Sequence, residues 1–259
     1  MPKVSVIMAE YDTPIEHFNL AVESILNQTF SDFEFVIVDD SKNQHLEEYI
    51  KNYPDERIRI VKNGGNFGLV YSLNRAIDAA TTEYLVRMDT DDISLPQRIS
   101  VLYEEITKNP EYSVIGTSII EFDDEGKYNE FIYDMDYDFN TIMSRKVPIH
   151  ATTIMKKQDI ISAGKYKNYN RAEDLVLWCE LLLKEYKLKT IPMPLYKYRV
   201  SELDLDKRKL KYRGDEIKAR IKYYRLMGGS PLQMLSIFKS VIAGTLPNKV
   251  MYLYHQHRK

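Results

Sequence analysis

Tyr84-Leu85-Val86-Arg87-Met88-Asp89-Thr90-Asp91-Asp92 joins an apolar run to three carboxylates within four residues. The run is short and closed by charge, which favours a buried strand over a helix, although periodicity alone does not separate the two. In open α/β sheets ligands gather beyond the carboxyl ends of the strands, so these carboxylates fall at a functional rim. Asp89 and Asp91 flank one residue. Two hard oxygen ligands held that close suit Mg²⁺ or Mn²⁺, which can neutralise a diphosphate. A D-x-D by itself is most often a solvated acidic turn, and the chain carries its own controls. Asp134-Met135-Asp136, Asp136-Tyr137-Asp138 and Asp204-Leu205-Asp206 fit the pattern, but none follows a continuous apolar strand.

The same junction recurs upstream. Residues 4–8 read as a first buried strand and residues 33–38 as a second, which ends in Asp39-Asp40. Between them Thr13-Pro14-Ile15-Glu16 has the form of a capping box with proline at the first helical position. Phe18, Ala21, Val22, Ile25 and Leu26 then keep helical spacing. A short helix with Leu46, Tyr49, Ile50 and Tyr53 leads to a third strand at 58–61. Asn63-Gly64-Gly65-Asn66-Phe67-Gly68 opens the next helix and could offer backbone N–H groups to phosphate. It matches neither G-x-G-x-x-G nor the Walker pattern, and a plain turn is the commoner reading. Strand and helix alternate throughout, which predicts a parallel sheet. After a helix opened by Pro96 and closed by Asn109-Pro110 the rhythm changes. Residues 113–122 and 128–133 predict a hairpin, followed by strands near 152–156 and 188–199 and a helix from about 173 to 186.

The chain has 259 residues, 44% hydrophobic and 29% charged, enough for a large core and far from the composition of a disordered protein. Cys179 is the only cysteine, so no intrachain disulfide forms, and its apolar helical neighbours mark it as packing. Residues 1–20 hold no basic-then-apolar leader, and no apolar run reaches the roughly 18 residues of a spanning helix; the expectation is a cytoplasmic protein. His17, His45, His150, His255 and His257 lack zinc-ligand spacing. The net charge of −2 is unevenly spread: residues 207–259 hold 13 Lys and Arg against 2 acids, and residues 1–206 hold 23 against 36.

With these junctions placed, residues 3–200 resemble the family-two glycosyltransferases, inverting enzymes of the GT-A fold, and most closely the branch that builds bacterial exopolysaccharide and capsule, including amylovoran-type galactosyltransferases. The matching text is Val4-Ser5-Val6-Ile7-Met8 with Tyr11, Ser24-Ile25-Leu26-Asn27-Gln28-Thr29-Phe30, Val38-Asp39-Asp40, Asn66-Phe67-Gly68-Leu69 and Leu73-Asn74. It continues with residues 87–98, His150-Ala151-Thr152, Ala172-Glu173-Asp174 with Leu177-Trp178, and Tyr198-Arg199. Departures are Ala9 and Ala151 where relatives often have proline, the added charges Glu10 and Asp12, Val176 in place of a repeated aspartate, and Val200-Ser201 where a histidine often follows.

The resemblance implies a GT-A domain: a mostly parallel, Rossmann-like α/β sheet flanked by helices, a small mixed-sheet acceptor region and a helical basic tail. Residues 1–110 would bind the nucleotide sugar, 111–206 the acceptor, and 207–259 would form the tail. Tyr11, Asp39, Asp40 and Asp89 are implied at the nucleotide, Asp89 and Asp91 at a Mn or Mg ion, and Asp174 as the catalytic base. His150, Glu173 and Arg199 are implied at the acceptor or a secondary site. The implied donor is a UDP-sugar such as UDP-galactose or UDP-N-acetylhexosamine, or a dTDP-sugar, and the acceptor a lipid-linked oligosaccharide; no nucleic-acid partner is expected. A sugar-nucleotide pyrophosphorylase is the alternative enzyme, but Met8-Ala9-Glu10-Tyr11-Asp12 lacks its G-x-G-T-R segment. A receiver domain needs about half this length, and a silent nucleotide-sugar-binding subunit stays open. Basic residues from Lys207 to Arg225, followed by Leu232, Leu235, Phe238, Val241 and Ile242 at helical spacing, describe either a peripheral contact with the inner face of the membrane or a packing or homodimer surface.

Overall fold

The computed structural model describes residues 1–42, 46–200 and 213–245. Four of the predicted strands, β1 (Val4–Glu10), β2 (Phe33–Asp39), β3 (Ile58–Lys62) and β4 (Tyr84–Arg87), lie parallel in the order β3-β2-β1-β4. Successive strand residues face opposite sides, and both sides are covered. Val4, Val6 and Met8 meet α1 (Ile15–Leu26) and α4 (Arg98–Lys108) in one core, while Ile7 meets α3 (Leu69–Ala79) in the other. A short α2 (Leu46–Ile50) joins β2 to β3.

The second half completes one mixed sheet. The two-residue β5 (Ile93–Ser94) follows the acidic turn, and β6 (Tyr112–Phe122) pairs with β7 (Tyr128–Phe131) as the expected hairpin. Next come β8 (Met135–Tyr137), α5 (Phe139–Met143), β9 (Ile154–Lys156), α6 (Lys157–Ser162), α7 (Glu173–Leu183) and β10 (Lys187–Arg199). Antiparallel β9 bridges β4 to β6, β10 runs parallel to β6, and β5 closes that edge against β10. The order from β4 onward is therefore β4-β9-β6-β10-β5.

One local expectation needs correction. Thr13 does not cap α1: Pro14 stands at the cap without a side-chain bond, and the Thr13 hydroxyl instead donates to Thr90 Oγ1 at 2.7 Å. That contact ties the segment after β1 to the acidic turn. For the basic tail the packing alternative describes its first helix, since α8 (Gly214–Leu226) buries Ala219, Tyr223 and Tyr224 completely in the core that contains α7. α9 (Pro231–Thr245) then packs Met234 and Ile237 on the same core and leaves Leu232, Leu235 and Phe238 exposed. Lys207, Arg208, Lys209 and Lys211 lie outside the described residues, and among those described no helix is long and apolar enough to cross a membrane.

Candidate active site

Parallel strands deliver their carboxyl ends to one edge of the sheet. β1 ends in Glu10, β2 in Asp39, and β4 in Arg87 just before Asp89. A cleft of about 210 Å³ opens there between Glu10, Asp12, Thr13, Ser41, Leu46 and Tyr49. Asp12 turns the chain at φ 49°, and Thr13 N donates to Glu10 Oε1 at 2.8 Å, which pins the turn. Tyr11 is 48% exposed at this turn, free to present its ring to a planar base. Asp39 is buried; its Oδ1 accepts from Ser41 N at 3.0 Å and from Ser41 Oγ, and its Oδ2 has no partner among the described residues.

Asp40 faces elsewhere. Its Oδ1 accepts from Asn63 Nδ2 at 2.6 Å and Phe67 N at 2.8 Å, and its Oδ2 from Gly68 N at 2.8 Å. The glycine-rich loop thus spends its N–H groups at the α3 N-terminus on an internal carboxylate, which supplies the negative charge a helix start favours. The loop behaves as the plain turn, the commoner reading of its sequence, and Asp40, expected at the nucleotide, has both its oxygens engaged in holding that loop.

The acidic turn rests on two buried arginines. Arg87 donates to Asp89 Oδ1 and to Met88 O, and Arg98 donates to Arg87 O and to Ala151 O at 3.2 Å while lying 4.5 Å over the Tyr196 ring. Burial opposes the Arg87 charge, but Asp89, Tyr166 and Tyr196 outweigh it and its pKa rises; burial brings Arg98 down to about 10. Tyr196 OH accepts from Asp89 N at 3.2 Å. Asp92 points inward, accepting from Arg199 N at 2.7 Å, and burial followed by Asp89 and Asp91 holds its pKa well above the usual carboxylate range. Arg199 also donates through Nε to Asp91 O at 2.8 Å and through Nη1 to Asp124, so its role here is to hold the turn. Asp89 and Asp91 remain toward solvent, the former with 34% of its side chain exposed. Among the described residues no three His, Cys, Asp or Glu converge on one point. Two carboxylates without a third protein ligand suit a cation that takes its other oxygens from a diphosphate and water, the usual mode for Mg²⁺.

Motif residues outside the rim hold this geometry. Ser24 Oγ accepts from Ser94 N at 3.0 Å, and Gln28 bonds Ser94 Oγ, Leu95 O and Ile99 N, which fixes the chain just beyond Asp92. Asn74 pairs with the backbone of Tyr166 through Nδ2 at 2.9 Å and Oδ1 at 3.0 Å. Tyr166 OH in turn lies 2.6 Å from His150 Nε2. Burial, reinforced by Arg87, drops the His150 pKa well below its ordinary value, so the ring is neutral at pH 7.

Glu173 and Asp174 open α7. Burial, then Asp174, pushes the Glu173 carboxyl up to about 7, and Arg87 and Asp89 are also within its electrostatic reach. Burial raises the Asp174 pKa as well, against the Leu175 N–H at 2.6 Å and the Arg220 charge. The charges that act on the two differ: Arg87 and Asp89 act on Glu173, and Arg220 and Glu216 of α8 act on Asp174. The structure adds Glu10, Arg87, Arg98, Tyr166 and Tyr196 to the residues expected from sequence. Only Arg87 carried a readable signal, a cation inside an apolar strand immediately before the carboxylates.

Comparison with known proteins matches residues 5–162 to the profile of glycosyl transferase family 2. Along most of its length the chain is similar to a glycosyltransferase named EpsE of Bacillus subtilis, 28% identical with 99% of this chain and 94% of the relative covered. It is similar to the amylovoran biosynthesis glycosyltransferase AmsE of Erwinia amylovora, 29% identical with 94% of each chain covered. It is also similar to the UDP-Gal:alpha-D-GlcNAc-diphosphoundecaprenol beta-1,3-galactosyltransferase of Escherichia coli, 28% identical with 86% of this chain and 84% of the relative covered. The helix-flanked sheet, parallel in its first half and mixed in its second, with the acidic turn leaving β4, is the GT-A arrangement, and this chain belongs to glycosyl transferase family 2.

Proposed function

We propose that this chain is an inverting, metal-dependent hexosyltransferase that moves a sugar from a nucleoside diphosphate, a UDP-sugar before a dTDP-sugar, to a lipid-linked oligosaccharide in exopolysaccharide or capsule synthesis. The observation that carries the reading is the placing of Asp39 at the end of β2 and of Asp89 and Asp91 just beyond β4 at the carboxyl edge of the parallel strands, with Glu173 at the start of α7 within electrostatic reach of Asp89. The names of the amylovoran and galactosyltransferase relatives support the polymer class and the acceptor class.

Asp39 accepts an imide N–H of the base with its unpartnered oxygen, and the Tyr11 ring stacks on that base. Asp89 and Asp91 would hold Mn²⁺ or Mg²⁺, which supplies positive charge to the departing diphosphate. Arg87 keeps Asp89 oriented from beneath. The acceptor hydroxyl attacks C1 of the sugar on the face opposite the diphosphate; the C1–O bond to the diphosphate breaks as the new one forms, and Asp174 takes the hydroxyl proton. One displacement inverts the anomeric centre. A second reading makes Glu173 the base, because Glu173, raised to about 7, is the member of the pair that feels Arg87 and Asp89. The reading sets the enzyme at the cytoplasmic face of the membrane, which the exposure of Leu232, Leu235 and Phe238 on α9 supports as a peripheral contact, with a homodimer as the other use of that surface. Release of free nucleoside diphosphate from a panel of nucleotide sugars, with a lipid-linked oligosaccharide and Mn²⁺ present, tests the reading. No turnover of any donor sinks it.

A further inference from the structure

Glu10 is not explained by the residues that bind the donor in the proposal above. It ends β1 as the register partner of Asp39 at the end of β2, so both side chains leave the sheet on the same side. Both residues are more than nine-tenths buried, Glu10 at 6% and Asp39 at 1% exposure. Each carboxyl satisfies one oxygen within the protein, Glu10 Oε1 with Thr13 N and Asp39 Oδ1 with Ser41, and each leaves the other oxygen, Glu10 Oε2 and Asp39 Oδ2, without a partner among the described residues. Glu10 lines the 210 Å³ cleft. Two idle oxygens shielded from water on the same side of the sheet, on carboxyls close enough to feel each other's charge, can serve as an acceptor and a donor once one carboxyl carries a proton.

We propose that Glu10 is a second base-reading group: its protonated carboxyl donates to a ring carbonyl of the nucleotide while the Asp39 carboxylate accepts the neighbouring imide N–H. The inference rests on the donor reading above and deepens it. An imide base, uracil or thymine, offers a carbonyl beside an N–H and satisfies both groups. Cytosine offers an amino group beside a ring nitrogen lone pair, so donor would meet donor and carboxylate would meet lone pair, and a site built for hydrogen bonds rejects such a mismatch strongly. Among the described residues the ionisable groups around the Glu10 carboxyl are Asp39, Asp12 and Tyr49. Burial, with Asp39 and Asp12 adding to it against the Thr13 N–H, pushes the Glu10 pKa from 4.5 up to about 7. Base recognition is therefore tied to pH in the neutral range.

Titration calorimetry of the full chain with UDP and with CDP, Mn²⁺ present, at pH 6 and pH 8, tests the inference on wild type, Glu10→Gln and Asp39→Asn. Glu10→Gln keeps the shape and a permanent donor but cannot ionise, so it reports the titration of the diphosphate alone. The expected result is that wild-type affinity for UDP falls about tenfold more than that of Glu10→Gln between the two pH values, following the protonated fraction of a group with a pKa near 7. UDP should exceed CDP by at least about a hundredfold at pH 6. Equal pH dependence in wild type and Glu10→Gln, with tight UDP binding that Asp39→Asn abolishes, overturns the role of Glu10 and leaves the donor reading standing. If UDP fails to bind wild type, or binds Asp39→Asn as tightly, the donor reading itself falls and the inference falls with it.

Discussion

Asp40→Ala separates a residue that holds the fold from one that holds the nucleotide. Three donors, Asn63 Nδ2, Phe67 N and Gly68 N, converge on this carboxylate at 2.6 to 2.8 Å. Gly68 stands at the N-cap of α3 at φ 90° and has no side chain of its own to cap the helix. Alanine would leave the three donors without their acceptor and remove a negative charge from a helix start. Hydrogen bonds to a charged group are worth about 1.5–3 kcal/mol each, and the charge at the helix start about 0.3–1 kcal/mol more. Phe67 is exposed and Gly68 and Asn63 only half-buried, so water replaces part of the loss, and the net cost is about 3 kcal/mol rather than the full sum. For a chain of this size that lowers Tm by about 9 °C. Trp178, the only tryptophan and completely buried in α7, makes urea unfolding readable by fluorescence. UDP affinity, measured well below the new Tm, should stay within about threefold of wild type, because no oxygen of Asp40 is left over for a ligand. A variant that unfolds at the wild-type urea concentration yet loses UDP affinity would refute this reasoning and return Asp40 to the nucleotide.

Three further tests address the chemistry and the surface. Asp174→Asn should reduce transfer by about 10²–10⁴-fold with UDP affinity retained, the usual contribution of a positioned base; if Glu173→Gln shows that loss instead and also abolishes the rise in rate through pH 7, the base is Glu173. Chelation with EDTA should weaken UDP binding by at least about tenfold, since Asp89 and Asp91 would then face the diphosphate with like charge; equal affinity with and without EDTA removes the ion from the mechanism. Leu235→Glu with Phe238→Glu should abolish co-sedimentation with phosphatidylglycerol vesicles at low salt while the Tm stays near wild type, because both side chains are exposed on α9. Wild-type protein that stays in the supernatant at low salt ends the membrane reading.

The parallel half of the sheet was legible because its central strands β1, β2 and β4 are buried on both faces and read as apolar runs closed by a carboxylate or a turn. The site was legible only where a residue type implied a ligand. Asp39, Asp89 and Asp91 sit at the expected strand ends, but nothing local distinguishes Asp39 from Asp40. Their different partners follow from side-chain direction: alternate residues at the end of β2 face opposite sides, and one of those sides is occupied by the glycine-rich loop. Arg98 was hidden for a different reason. It opens α4, where an exposed cation would be unremarkable, and only the fold carries its guanidinium under the acidic turn and over Tyr196.

Sequence leaves the tail open between two readings for a reason that charge counting cannot repair. The charge count of residues 213–225 does not choose between a membrane contact and a packing surface, because their cations divide by helical face. Lys218, Lys222 and Arg225 lie on the exposed side, while Arg220 is 8% exposed and pairs with Glu216 and Tyr224. Arg220 also offsets the burial that raises the pKa of Asp174. A buried cation that has a paired carboxylate and a phenol is a packing element, and the two fully buried tyrosines beside it put α8 in the core with α7. Cutting the chain at residue 206 would therefore remove core side chains and a charge felt by the proposed base, along with any surface for lipid. Loss of vesicle binding in such a truncation would carry no information about the membrane, and point substitutions on the exposed face of α9 are the perturbation that isolates it.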